Sequence, residues 1–256
     1  MCHDDHSRPP APPRIAPIHS GERLRLQSRD GNSFMAYAVQ PETTTGRGVV
    51  ILPDIRGLHA YYCDLADRFA EAGFSAIAID YFGRTADTDD RTEAFEFRTH
   101  VDQSTPEGVA ADTRAAVEYL RTSLGGAAVD IFTVGFCFGG GNSWRQSADT
   151  PGLAGCIGFY GRVDGALSVE PRMQAPILCL LAGEDQNIRP EQFDPLLDNL
   201  AARGIQAQRF VYEGAPHSFF DRSFAEHQDA CADAWDRIIM FTDAYSTGGS
   251  GAHSTD

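Results

Sequence analysis

The sequence predicts an α/β fold, in which a mostly parallel central sheet is covered by helices on both faces and begins with an antiparallel hairpin. Short, continuous apolar runs alternate along the chain with longer segments of helical periodicity. Such runs are typical of strands buried on both faces, and strand–helix alternation gives parallel strands. The first two strand-like segments are joined only by Arg29-Asp30-Gly31-Asn32, a turn signal that predicts the hairpin.

The elements follow one another in a regular order. The predicted strands cover 22–28, 33–39, 48–54, 74–80, 128–135, 155–160, 176–183 and 207–214, and the predicted helices cover 59–72, 107–124, a stretch from about 139, 190–203 and 222–243. The irregular segment 83–106 leaves the carboxyl end of a strand, which is where ligands bind in sheets of this kind.

The length of 256 residues predicts one large domain, over 21–245. Residues 1–20 are rich in proline and mixed charges and predict a disordered leader, and 246–256 predict a flexible tail. The leader contains metal-ligand residue types at 2–6, Cys-His-Asp-Asp-His. Because a disordered segment does not preorganise ligands, the sequence predicts no metal site and no cofactor.

Charge and composition exclude several classes of partner. The formal net charge is −15, from 21 basic and 36 acidic residues, which argues against nucleic acid or an anionic membrane surface. No apolar run approaches the roughly 20 residues that span a bilayer, and the N-terminus has no signal-peptide core. The six cysteines form no C-x-x-C pair, so neither a zinc site nor a disulfide framework is indicated. We expect a cytoplasmic monomer that acts on a small molecule.

The segment Gly135-Phe136-Cys137-Phe138-Gly139 has the spacing of a G-x-S-x-G nucleophile elbow, with cysteine in place of serine. An elbow needs the two glycines because strand and helix approach each other closely there. It places the thiol at a helix N-terminus, where the dipole favours a thiolate, and aims the next backbone N–H at a developing oxyanion. The alternative is an inert cysteine in a glycine turn.

Two downstream residues favour the chemical interpretation. Asp185, in "AGEDQ", comes just beyond one predicted strand, and His217, in "YEGAPHSF", comes just beyond the next. Nucleophile, acid and histidine in this order, each at the carboxyl end of a strand, are typical of the α/β-hydrolase fold. The sequence therefore predicts a Cys137-His217-Asp185 triad on that fold.

The motifs "GFCFGG", "GEDQ" and "GAPHSF", together with "LPDIRG" and "AIDYFGR", resemble the dienelactone hydrolase (carboxymethylenebutenolidase) family, and the similarity extends from about residue 21 to 243. The resemblance implies that Cys137 is the nucleophile, His217 the base and Asp185 the residue that orients it. It also implies an oxyanion hole made by the backbone N–H groups of Ile55 and Phe138, and a lactone or activated ester as substrate.

The chain departs from the family pattern at two places. Asp54 stands where family members usually carry a glutamate that contacts the resting thiol. Of two arginines that bind the carboxylate of a dienelactone, Arg84 matches the first, but Asp221 stands at the position of the second. That carboxylate predicts repulsion of an anionic substrate, so the dienelactone itself is a doubtful substrate. Arg56 and Tyr160 are the remaining candidates for substrate binding.

The predicted reaction is hydrolysis through a cysteine thioester. A glutamine amidotransferase with the same elbow needs histidine and glutamate two residues apart, whereas His217 is followed by Ser218 and Phe219. Two alternatives stay open. One is acyl transfer or lactone chemistry in a biosynthetic pathway on the same triad, and the other is a non-catalytic ligand-binding protein of the same fold.

Overall fold

The structure is a computed structural model that describes residues 3–122 and 124–247. Its centre is a sheet of eight strands. The strands are β1 Glu22–Gln27, β2 Ser33–Val39, β3 Arg47–Leu52, β4 Ser75–Ile79, β5 Asp130–Phe136, β6 Gly155–Phe159, β7 Ile177–Ala182 and β8 Ala207–Tyr212. The α-helices are α1 Ala60–Glu71, α2 Arg98–Gln103, α3 Pro106–Arg121, α4 Phe138–Asp149, α5 Asp164–Val169, α6 Asp194–Ala202 and α7 Gln228–Ala244. Short 3₁₀ turns occupy Tyr81–Arg84, Glu170–Arg172, Pro190–Phe193 and Ala225–His227.

The strand order is β1-β2-β4-β3-β5-β6-β7-β8. β1 pairs antiparallel with β2, and β2 pairs antiparallel with β4, whereas every pair from β4 through β8 is parallel. The predicted α/β fold with an antiparallel start is therefore confirmed. The chain moves from β3 to β4 on one side and then to β5 on the other, so the order reverses between β3 and β5. A crevice forms at such a reversal, outside the carboxyl ends of the strands.

Apolar side chains pack on both faces of this sheet. On one face α1 and α7 meet, where the rings of Phe69 and Trp235 lie 4.8 Å apart between centroids. On the other face α3, α4, α5 and α6 cover the strands, and the indole of Trp144 packs against Phe193 while it donates to the carbonyl of Leu178 at 2.9 Å. Burial of each such side chain stabilises the fold by about 1.5–3 kcal/mol. The sheet is thus a rigid platform for the loops at its carboxyl edge.

Two predicted segments differ most from the structure, and α5 has no counterpart among the predicted helices. The helix predicted over 222–243 begins only at α7, because Asp221 and the residues after it bond to the N-terminal segment: the amide of Arg222 donates to the carbonyl of Arg8 at 2.9 Å. The segment 83–106, predicted irregular, contains α2. The helix after it begins at Pro106, where the hydroxyl of Thr105 accepts from the amide of Gly108.

The structure places part of the N-terminal segment against the domain, where the sequence predicts a disordered leader. His3 and Ser7 are buried, and the indole of Trp235 donates to the carbonyl of Pro10 at 3.2 Å. Composition misleads here because a polar, proline-rich segment cannot form its own core but can dock on one that already exists. Residues 1–2, and residues 248–256 of the predicted tail, lie outside the described residues.

In the part of the chain that the structure describes, none of the helices combines the length and the apolar character that crossing a bilayer requires. The same part contains no cluster of three or more side chains suited to hold a metal ion.

Candidate active site

Cys137 occupies a sharp turn between β5 and α4. Its backbone angles are φ 53° and ψ −112°, which a residue with a Cβ rarely adopts. Its amide donates to the carbonyl of Phe159 at 3.1 Å, which fixes the turn against β6. A Cβ at Gly135 would lie 1.9 Å from the carbonyl oxygen of Gly139, and one at Gly139 would lie 2.0 Å from that of Leu52. The glycine spacing is therefore a steric requirement of this turn.

Asp185 and His217 form a close pair at the same edge of the sheet. Asp185 follows β7 and His217 follows β8, and the imidazole Nδ1 lies 2.5 Å from the Oδ2 atom of the carboxylate. The other oxygen, Oδ1, accepts from the amides of Asn187 at 2.9 Å and Ile188 at 3.1 Å. Because the carboxylate is buried and held by the backbone, it fixes the orientation of the ring. A carboxylate at Nδ1 favours the tautomer whose Nε2 is an acceptor.

Tyr160 lies against the imidazole of His217. Its fully buried ring lies 4.8 Å from that of His217 between centroids. Tyr160 and Ser218 both have positive φ, at 32° and 67°, so the backbone is strained on both segments that shape the ring's surroundings. Tyr160 lines neither of the cavities described next. The structure places Tyr160 in contact with the histidine, and its role in substrate binding stays a prediction.

Two adjoining cavities open beside Cys137. The first, of about 530 Å³, has mostly apolar walls, and its lining includes Ile55, Val101, Pro106, Cys137, Phe138 and Ile188. The second, of about 540 Å³, is lined by Cys137, Arg162, Val163, Asp164, Asn187, Ile188, Gln192 and His217. Cys137 lines both, and it shares the second with His217. The segment 83–106 contributes Val101 to the first, consistent with the expectation that it lies beside the ligand site.

The loop after β3 brings Ile55 to the first cavity, where Phe138 at the start of α4 also lies. Its preceding residue, Asp54, is fully buried, and the Oδ1 atom of its carboxylate accepts from the amide of Arg56 at 2.9 Å. Among the residues that the structure describes, no donor reaches the buried Oδ2 atom of Asp54. The structure therefore shows no hydrogen bond between the thiol of Cys137 and this carboxylate, and a supporting role for Asp54 stays a prediction. The shorter side chain caps its own turn instead.

Arg84 is bound by carboxylates of the protein. Its guanidinium forms two hydrogen bonds with Asp112, at 2.8 and 2.9 Å, and a third with Asp30 at 2.8 Å. Asp112 is buried, and a buried carboxylate is costly without a paired cation. Arg84 lines neither cavity at Cys137. The role of Arg84 in binding a substrate carboxylate stays a prediction, and in this structure its guanidinium is already bound by Asp112 and Asp30.

Arg56 and Asp221 both face the N-terminal segment. The buried guanidinium of Arg56 donates to the carbonyl of His3 at 2.7 Å and to Asp5 at 2.8 Å, so in this structure it is bound by the N-terminal segment, and its role in substrate binding stays a prediction. The buried carboxylate of Asp221 accepts from the amides of Arg8 and Ser223. Burial raises the pKa of Asp221, but the polar groups around it, the amides of Arg8 and Ser223 among them, hold it below its usual range. Asp221 lines neither of the cavities at Cys137.

The remaining described cysteines differ from Cys137 in their surroundings. All four are buried, whereas Cys137 is partly exposed. Burial raises the pKa of their thiols, to about 11 for Cys63 and Cys231 and about 12 for Cys156, and higher still for Cys179. They are therefore neutral and unreactive near pH 7, since the thiolate is the nucleophile.

Sequence reasoning missed several residues of the site. Asn187 and Ile188 hold the carboxylate of Asp185 through their amides, a turn in which an aspartate accepts from residues two and three positions later. The spelling Asp-x-Asn after a strand is the local signal that could have found it. Val101 and Pro106 come from a segment without a periodic pattern, so no comparable signal marks them as cavity walls.

The fold and the turn at Cys137 define the α/β-hydrolase class. The sheet has eight mostly parallel strands with helices on both faces, and the strained strand-to-helix turn lies where the strand order reverses. The model of the dienelactone hydrolase family matches residues 34–246. The chain therefore belongs to the dienelactone hydrolase family, which makes it a hydrolase that acts on esters or lactones. The resemblance seen in the motifs is confirmed, and the non-catalytic alternative has no support.

Known proteins agree with this placement. A Yersinia pestis protein named "Putative carboxymethylenebutenolidase" is 27% identical over 234 residues, covering 87% of each chain. A solved dienelactone hydrolase-like promiscuous phosphotriesterase from metagenomic libraries is 20% identical, covers 89% of this chain and 100% of its own, and superposes with a TM-score of 0.68. An esterase from Pyrococcus furiosus is 12% identical, with coverage of 92% and 99% and a TM-score of 0.65. The two solved structures share the fold.

Proposed function

We propose that the protein hydrolyses small, uncharged esters or lactones through a thioester on Cys137, with His217 as the base and Asp185 as the residue that orients it. One observation carries the proposal. The side chain at the strained elbow shares a cavity with His217, and the imidazole of His217 is held 2.5 Å from a buried carboxylate.

The reaction follows from this arrangement in two halves. The Nε2 atom of His217 takes the thiol proton of Cys137, and the sulfur attacks the carbonyl carbon. The C–O bond breaks, and the departing alkoxide or enolate takes the proton back from the imidazolium. Water then loses a proton to His217 and attacks the thioester carbon. The acid product leaves, and the sulfur regains a proton. No metal or organic cofactor takes part in these steps.

The developing negative oxygen needs donors at fixed positions. The amides of Ile55 and Phe138 belong to two loops that meet at the cavity beside Cys137, and we assign them to the oxyanion hole. Loss of one such donor typically raises the barrier by about 3–4 kcal/mol. The rigid elbow positions one donor, and the turn capped by Asp54 positions the other.

The preference for uncharged substrates rests on where the charges of the protein lie. Arg84 is paired with Asp112 and Asp30, and Asp221 is bound by amides of other segments. The two arginines that do line the first cavity are also paired, Arg145 with Asp149 at 2.7 Å and Arg162 with Asp164 at 2.9 Å. A carboxylate on the substrate thus finds mostly apolar walls in the first cavity, and the arginines there already have carboxylate partners. Burying an unpaired charge is costly.

Two 4-nitrophenyl esters test the proposal, the butyrate and the hemisuccinate, which differ mainly by a terminal carboxylate. We expect kcat/KM to be at least about tenfold higher for the butyrate, a difference of about 1.4 kcal/mol. Release of nitrophenolate is followed by absorbance, and acid production from simple lactones by pH indicator.

Cys137→Ala should abolish turnover of every substrate, whereas Cys231→Ala, which removes a buried thiol, serves as the matched control. Full activity in Cys137→Ala contradicts the thioester mechanism. Equal or faster hydrolysis of the anionic ester contradicts the preference for uncharged substrates.

Two further statements stay predictions from the charge and composition of the sequence. The first is that the protein is a cytoplasmic monomer, and the second is that it binds neither nucleic acid nor a membrane.

A further inference from the structure

The loop after β3 is fixed by the side chains of Asp54 and His59, neither of which lines the cavities at Cys137. Inside the loop, Asp54 accepts from the amide of Arg56 through its side chain, and from the amide of Gly57 through its carbonyl at 3.2 Å. At the end of the loop, Nδ1 of His59 accepts from the amide of Tyr61 at 3.2 Å and caps α1. The peptide that carries the Ile55 amide lies between these points.

One carboxylate oxygen joins the two ends. The Oδ1 atom of Asp5 lies 2.8 Å from Nη2 of Arg56 and 2.6 Å from Nε2 of His59. Burial lowers the pKa of His59, and its Nδ1 is an acceptor, so the neutral ring carries its proton on Nε2 and donates it to Asp5. Hydrogen bonds from Arg56 and His59 in turn lower the pKa of Asp5 from 3.8 to about 2. Both contacts are therefore charge-assisted near neutral pH.

The residues around Asp5 also reach the loop that carries His217. We call residues 3–8 the bridging segment. Its Arg8 amide donates to Asp221 at 3.2 Å, and its His3 ring stacks on Tyr61 with centroids 3.8 Å apart. The hydroxyl of Tyr61 donates to the carbonyl of Phe220, three residues beyond His217. The bridging segment therefore links the loop of the oxyanion donor to the loop of the base.

We propose that Asp5 is a positioning residue for hydrolysis, which holds the Ile55 amide in place through Arg56 and His59. This rests on the proposed function, because the amide matters only if an oxyanion forms beside Cys137. Asp5 does not line the cavities at Cys137, so its effect on the reaction passes through the loop. A donor held in advance of the reaction stabilises the transition state more than the bound substrate, so its loss lowers kcat rather than raising KM.

Two variants at Asp5 test this role. In Asp5→Ala, which removes the shared oxygen, we expect kcat to fall about tenfold while KM stays within twofold. Asp5→Asn keeps an acceptor oxygen and loses the charge, so it should recover part of the loss, to about threefold below wild type. The matched control is Asp243→Ala, which breaks an exposed carboxylate pair with Arg47 at the opposite end of β3. It should keep kcat within twofold of wild type.

Hydrogen exchange followed by mass spectrometry gives a readout that needs no turnover. The peptide covering 54–62 should exchange several-fold faster in Asp5→Ala than in wild type or Asp243→Ala. Unchanged kcat in a folded Asp5→Ala protein, or unchanged exchange of this peptide, overturns the role of Asp5. If Asp5→Ala does not fold, Asp5→Asn takes its place in the test. A kcat and an exchange rate equal to those of the wild type in Asp5→Asn then overturn the role of Asp5. Absence of hydrolysis in the wild type overturns the proposed function alone.

Discussion

The chain places the same thiol in two settings, at the carboxyl edge of the sheet and inside it. Cys137 is partly exposed, sits on a strained turn and shares a cavity with a carboxylate-bound imidazole. Cys156 and Cys179 lie within β6 and β7, are fully buried, and have thiol pKa values raised by burial. Position relative to the strand ends therefore decides which of these thiols is accessible and lies beside an imidazole, as the proposed nucleophile must.

The largest expected effect is on kcat. It concerns the carboxylate-bound imidazole, which lies beside Cys137. Asp185→Asn removes the charge that holds the Nδ1–H tautomer of His217, so we expect kcat to fall about 10³–10⁴-fold with little change in fold. Steady-state kinetics on 4-nitrophenyl butyrate and circular dichroism measure both.

Asp243→Asn is the matched control for that substitution. It makes the same change at an exposed carboxylate paired with Arg47, away from both cavities at Cys137, and should retain most of the activity. An Asp185→Asn protein that keeps wild-type kcat removes the pair from the mechanism.

The second prediction compares the reactivity of the thiols directly. Iodoacetamide at pH 7 should alkylate Cys137 at least about 10²-fold faster than Cys156 or Cys179, because reaction requires both access and thiolate. Mass spectrometry of tryptic peptides over a time course measures each rate. Equal rates at the three sites in the folded protein count against the distinction.

The smallest effect is on stability and appears at alkaline pH. The pKa of Cys156 is raised from 9.0 to about 12, so between these values the folded state holds a proton that the unfolded state has lost. The contribution of this thiol to the free energy of unfolding is fully present below pH 9 and is lost as the pH rises toward 12. The free energy of unfolding therefore falls with pH in this window, by up to about 1.4 kcal/mol per pH unit for each such thiol.

Urea unfolding under reducing conditions between pH 8 and pH 11 measures this slope. Cys156→Ala should make it shallower by up to that amount, whereas Cys137→Ala supplies the comparison from the edge of the sheet. An unchanged slope in Cys156→Ala shows that the buried thiol ionises as readily as in the unfolded chain.

Much of the fold and the central part of the site could be predicted from local patterns. The apolar runs that became β3 through β7 are buried on both faces, and the hairpin turn joins β1 to β2 as predicted. The spelling Gly-x-Cys-x-Gly marked the elbow because only glycine fits where Gly135 meets Gly139. Asp185 and His217 come together because the carboxyl ends of neighbouring parallel strands meet at one edge.

The charged residues could not be predicted in the same way. Arg84, Arg56 and Asp221 each matched or bordered a substrate-binding position, yet each is bound by another part of the protein. The carboxylate partner of Arg84 is 28 residues away along the chain, and that of Arg56 is 51 residues away. No periodicity or motif records such distant pairs. The bridging segment was missed for the same reason, since its partners exist only once the domain has folded.

By itself the sequence determined the order of strands and helices, the elbow and the succession of cysteine, aspartate and histidine, because these depend on backbone sterics and on side-chain periodicity over a few residues. Only the tertiary structure decided which charges the protein keeps for itself, and so what the cavity beside Cys137 offers a substrate. The physical reason is desolvation: a buried charge takes whichever opposite charge the fold brings near it, and that choice is made across the whole molecule.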